Sequence, residues 1–131
     1  HTQVISKFAR VFKRTAYFNP STPSPVSDKR HHNQGGEAVA VAKHLQSSPI
    51  LEQVLQAIID STGQLLSFAA CTITLKGYPL LIITIYLLHT EGMSECNRRR
   101  MQQIVILVHI MNLPFIMIGD FNTPPGSLQE S

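Results

Sequence analysis

The sequence predicts an α/β protein, a layered sandwich with helices on the face of a mixed sheet. Runs of aliphatic and β-branched residues at Ala38–Ala42, Leu65–Leu75, Leu80–Leu88 and Phe115–Ile118 alternate with two segments, Leu51–Ile59 and Met101–Met111, whose apolar residues recur at helical spacing. Gly- and Pro-bearing loops punctuate the runs, and no internal repeat is present. With 131 residues the chain can bury one small core, and a second domain has no room.

Composition sets limits on function. A net charge of +3 permits a nucleic-acid partner without demanding one. Two cysteines, Cys71 and Cys96, make no disulfide framework and mildly favour a reducing, intracellular compartment. The N-terminus lacks an apolar core followed by a small-residue cleavage site, so no secretory signal is expected. Leu80–Leu88 is too short to span a bilayer and Ile104–Ile118 is broken by His109, Asn112 and Pro114, so no membrane association is expected. A chain that starts at His1 and ends at Ser131, close behind its most suggestive motif, reads as a fragment.

Taken in order, Thr2–Phe18 places Val4, Ile5, Phe8, Val11 and Phe12 on one helical face, with Lys7, Arg10, Lys13 and Arg14 mostly elsewhere, which predicts a short amphipathic helix. Residues 19–36, NPSTPSPVSDKRHHNQGG, hold no apolar period and predict a surface loop that carries Lys29-Arg30-His31-His32 as a solvated tip. Gly35-Gly36 opens a small-residue strand over Ala38–Ala42, stopped by Lys43 and His44.

Ser48-Pro49 reads as a helix start, serine capping and proline in the first turn. Leu51, Val54, Leu55, Ile58 and Ile59 follow on one face, and Gly63 is the stop. Strands over Leu65–Leu75 and Leu80–Leu88 flank Lys76-Gly77-Tyr78-Pro79, a hairpin that feeds an interior strand. Glu95–Met111 predicts a helix with Met101, Ile104, Val105, Val108 and Met111 as its buried stripe, ended by Asn112-Leu113-Pro114. Arg98-Arg99-Arg100 spreads around that helix, so the three cannot form one patch, and solvated charge is expected for at least two.

The last strand, Phe115-Ile116-Met117-Ile118, reads as buried on both faces and leaves the core at Gly119. Asp120 and Asn122 then stand two apart. In an extended segment they share a side and can converge on one ligand atom, while Phe121 turns back into the core. A carboxylate there can orient a water or help hold a hard cation, and an amide can hold a phosphate oxygen. The alternative for these residues is an Asx-type turn before Thr123-Pro124-Pro125-Gly126, both side chains serving only backbone groups.

Ile118-Gly119-Asp120-Phe121-Asn122-Thr123, with Pro125, resembles the GDFN box of the endonuclease/exonuclease/phosphatase (DNase I-like) superfamily. Gly35–Val41 resembles the GG-V-A-I-L strand of retroelement-type endonuclease members. Leu80–Tyr86 resembles the family strand that ends in tyrosine, and Cys96–Met111 the helix before the GDFN strand. The likeness runs over about Gly35–Leu128 in the family's order and implies an incomplete DNase I-like sandwich, residues 1–131 being the central part of one domain.

The resemblance further implies a Mg²⁺- or Mn²⁺-dependent phosphodiesterase whose parent domain acts on nucleic acid. Asp120 would position or activate the attacking water, Asn122 would bind phosphate and support Asp120, and Tyr86 would approach the phosphate; Asp120 and Asn122 are also the metal-site candidates. The chain departs from the family after Tyr86, where Leu87-Leu88-His89 replaces Val-Pro-Asn. It also has no match for the early asparagine, the N-terminal metal glutamate or the late Ser-Asp-His box, since Glu37 and Glu52 stand in other contexts. The rival expectation is a degenerate, inactive remnant that serves as a binding or structural unit.

Overall fold

The computed structural model describes residues 14–19, 22–23, 33–34, 36–88 and 94–122. Its elements are β1 (Arg14–Asn19), β2 (Thr22–Pro23), β3 (Asn33–Gln34), β4 (Glu37–Ala42), β5 (Gln46–Pro49), α1 (Glu52–Thr62), β6 (Phe68–Leu75), β7 (Tyr78–Tyr86), α2 (Glu95–Met111) and β8 (Phe115–Asp120). The fold is a mixed α/β structure. A four-stranded sheet in the order β5-β6-β7-β8 is antiparallel except for the parallel β7–β8 pair, and β1-β4 and β2-β3 form two separate antiparallel ribbons.

Both faces of the four-stranded sheet are covered at β6 and β7. Alternation along β7 sends Leu81, Ile83 and Ile85 to one face, where they pack with Ile58 of α1 and with Ile104 and Leu107 of α2. Ile82 points to the opposite face, where with Cys71 and Ile73 of β6 it meets Val39 and Val41 of β4 and Tyr17 of β1. The β1-β4 ribbon therefore lies over β6 and β7. This two-sided burial explains why Leu80–Tyr86 reads as a near-continuous apolar run.

Local signals account for several boundaries. Lys76 and Gly77 both have positive φ, which closes the β6–β7 hairpin in two residues, and the ladder runs on through Tyr78 and Pro79, expected as loop. Gly63 ends α1 in the left-handed conformation and Asn112 does the same for α2. Ser94 caps α2 by accepting from the Asn97 backbone N–H. Gln103, fully buried, ties α2 to the end of α1: its Oε1 accepts from Ser67 N and Oγ, and its Nε2 donates to Thr62 Oγ1 and Leu65 O.

Five further expectations are corrected. Residues 14–18 belong to a strand, not to a helix over Thr2–Phe18, because β1 finds a full antiparallel partner in β4; Thr2–Lys13 lie outside the described residues. The 19–36 segment includes the short β2–β3 pairing; its Lys29–His32 tip lies outside the described residues. Ser48-Pro49 does not start α1. These residues pair in β5 with Thr72 and Cys71, and α1 begins after Leu51 with no side-chain cap.

On α2, Val105 is 63% exposed and is not part of the buried stripe, which runs through Asn97, Gln103, Ile104 and Leu107. Finally, β8 is not an interior strand buried on both faces. It is the edge of its sheet, with Phe115 46%, Ile116 46% and Ile118 58% exposed, because among the described residues nothing pairs beyond it.

Candidate functional site

The parallel β7–β8 ladder sets Tyr86 against Asp120 as register partners, so both side chains emerge on the same face of the sheet at its C-terminal end. Leu87 N donates to Asp120 O at 2.9 Å and extends the ladder one step past Tyr86. Tyr86 is half-buried and Asp120 exposed. Strand exits of this kind are where α/β sheets place ligands.

Asn122 follows in a left-handed conformation, φ 46°. Its backbone N–H donates to Asp120 Oδ1 at 3.2 Å, an Asx turn, and its Nδ2 donates to Leu87 O at 2.8 Å. The amide is thus turned back onto β7, and the carboxylate holds the turn. In this arrangement both side chains serve backbone groups, and Asp120 keeps an exposed carboxylate at the rim. Phe121, between them, packs against the main core as expected.

A second tier fixes β7 at the same level. Arg100 Nη1 donates to Tyr86 O at 3.0 Å and stands 4.0 Å from the Glu37 carboxylate, both side chains largely withdrawn from solvent. Asn97, fully buried, accepts from Leu88 N at 2.8 Å and donates to Leu88 O at 3.2 Å, a side chain acting as the missing strand. Sequence periodicity gave no hint of Arg100, Glu37 or Asn97 as supports of the exit. Of the three arginines, Arg98 and Arg99 are exposed, and Arg99 pairs with Glu95 at 3.0 Å.

One pleat below Tyr86 and Asp120 on the same face, Thr84 and Ile118 line an open groove of about 410 Å³ against Val39 and Val41. The Thr84 hydroxyl is buried there, with no hydrogen-bond partner among the described residues. His89, Thr123 and Pro125 lie outside the described residues. Among the described residues no cluster of three or more His, Cys, Asp or Glu side chains could hold a metal ion, and no helix is long and apolar enough to cross a membrane.

Asp120 is the sole carboxylate of the three site residues. Mg²⁺ is commonly held by one or two carboxylates with water and substrate phosphate, so these residues alone do not make a complete metal site. What they can do unaided is accept a hydrogen bond from a water at Asp120 and present a phenol at Tyr86. Comparison with protein-family models, curated proteins and solved structures finds no match to this chain.

Proposed function

We propose that this chain is the central part of a divalent-metal-dependent phosphodiesterase domain of the DNase I-like kind, most similar to a retroelement-type endonuclease. The observation that carries the proposal is the pairing of Tyr86 with Asp120 at the open end of a parallel strand pair, inside a GDFN sequence that resembles the box of that superfamily. On this view Asp120 orients the water that attacks phosphorus and contributes one oxygen to a Mg²⁺ or Mn²⁺ site. Tyr86 meets the phosphate. Asn122 positions the Asp120 turn through its bond to Leu87 O.

A specific observation favours the second possibility, an inactive binding or structural unit. The Asx turn and the Asn122 amide already satisfy backbone groups, and the described residues offer no complete acidic cluster. General acid–base help without metal is worth only about 10²–10⁴-fold.

The two possibilities separate experimentally. The 131-residue chain is expected to bind Mg²⁺ in calorimetry no tighter than millimolar and to leave plasmid DNA intact. A chain extended along the reading frame at both ends is expected to nick plasmid in Mg²⁺, to stop on EDTA, and to lose activity on Asp120→Ala. An extended chain that carries no metal glutamate and no Ser-Asp-His box, and that leaves plasmid intact, decides for the inactive unit.

A further inference from the structure

We infer that the free edge of β8 is a self-pairing interface, and that two copies of this chain join β8 to β8 in antiparallel register centred on Met117. The inference concerns the 131-residue chain, not a longer domain whose further strands would compete for the same edge, and it stands apart from the chemistry proposed at Asp120.

Natural edge strands are protected by charge, proline, a bulge or a cover. Among the described residues nothing covers residues 115–120, and the strand has neither proline nor bulge: the run is Phe-Ile-Met-Ile-Gly-Asp, its ladder to β7 is unbroken, and its single charge comes at the last position. Phe115, Ile116 and Ile118 are each about half exposed, and they project from both faces of the sheet. Grooves flank the edge on both sides. On the helix face Phe115 and Met117 line a groove of about 320 Å³ with Val105 and Val108, and on the ribbon face Ile118 lines the one beside β4. Large apolar side chains exposed along an unpaired edge strand mark an association site.

The occupant follows from the hydrogen-bonding pattern. Pro114 O accepts from Leu81 N and Asp120 O from Leu87 N, so the even-numbered residues of β8 turn their backbone polar groups toward β7. In a parallel ladder the alternate residues then point theirs outward, which places Phe115, Met117 and Gly119 at the free edge. A two-fold antiparallel pairing centred on Met117 sets Met117 opposite its own copy and Phe115 opposite Gly119 of the second copy. No other two-fold register pairs all three outward residues.

That register is also self-complementary in its side chains. Each Phe115 ring gains the space over a glycine, an arrangement that compensates for the missing side chain. On the other face each Ile116 meets Ile118 of the second copy, a close apolar pair at a non-hydrogen-bonded position. The two Asp120 carboxylates fall at opposite ends of the ribbon, roughly 20 Å apart at about 3.4 Å per residue. Like charge is thereby kept out of the pairing.

Sedimentation velocity on the purified chain is expected to show a dimer at micromolar concentration. Ile118→Lys, on a largely exposed side chain, is expected to keep the circular dichroism spectrum and weaken the dimer at least roughly tenfold. Register is read by cross-linking in a Cys96→Ser background: Ile116→Cys and Ile118→Cys chains are expected to form disulfides when mixed and not when alone, since the pair would sit about 4.5 Å apart at Cα. A monomer at hundred-micromolar concentration overturns the inference, whether another segment of this chain or only a foreign strand can cover the edge. A dimer indifferent to Ile118→Lys, or one without the mixed cross-link, overturns it equally.

Discussion

Gly119 of β8 approaches the Ile85 carbonyl of β7 so closely that a Cβ at position 119 would overlap its oxygen. The glycine of the GDFN sequence is thus a packing requirement one residue ahead of Asp120. It lets two strands draw together where Tyr86 and Asp120 emerge.

Gly119→Ala is expected to destabilise the fold by about 2–3 kcal/mol, at the upper end for overpacking because the obstacle is backbone and not a flexible side chain. Urea denaturation measures the loss. Hydrogen exchange at the Leu87 amide, which donates to Asp120 O, should quicken first; unchanged protection there would mean that the strands accommodate the methyl.

Asn97→Ala removes both partners of Leu88, leaving a backbone N–H and C=O unpaired at a largely buried position. The expected cost is about 2–3 kcal/mol. Asn97→Asp keeps an acceptor for Leu88 N but sets a carboxylate against Leu88 O, so it should recover little of that loss.

The Arg100 and Glu37 side chains define an asymmetric pair. Arg100→Ala removes the guanidinium that Tyr86 O accepts from and that stands 4.0 Å from the Glu37 carboxylate, with an expected cost of about 1–3 kcal/mol. Glu37→Gln keeps the packing and should cost less. In a double-mutant cycle the second substitution is expected to relieve part of the first, and strict additivity would show that the 4.0 Å approach carries no coupling.

Burial pushes the Cys71 thiol up from 9.0 to about 11, whereas Cys96 is exposed. One thiol, Cys96, should react readily with a disulfide reagent in the native state and both after denaturation. Between pH 9 and 11 the unfolded chain gives up the Cys71 proton while the folded chain retains it, so stability should fall as pH rises through that window. The contribution is of order 1–3 kcal/mol. Comparison with Cys71→Ala isolates it from other titrating groups.

Elements whose signals are local could be read from the residues alone. The Glu95–Met111 helix with its Asn112-Leu113-Pro114 stop and the Gly63 stop are encoded within a few residues, because capping conformations depend on nearest neighbours; the hairpin was legible at Lys76-Gly77, but its turn is two residues shorter than the four that read as loop. The run of apolar residues ending at Gly119 also announced a strand and placed Asp120 at its exit. What hydrophobic patterning reports is which residues seek cover, not what covers them. Only tertiary structure decided that residues 14–19 form a strand, since the partner lies in Glu37–Ala42. It also decided that Ser48-Pro49 pairs with Thr72 and Cys71 instead of starting a helix, and that β8 is an edge and Val105 exposed. At the site, Asp120 and Asn122 carry their side-chain types in the sequence. Their partners, Leu87 O for the Asn122 amide and Tyr86 in register with Asp120, come from strand pairing between residues 34 or more positions apart, a geometry that no local period encodes.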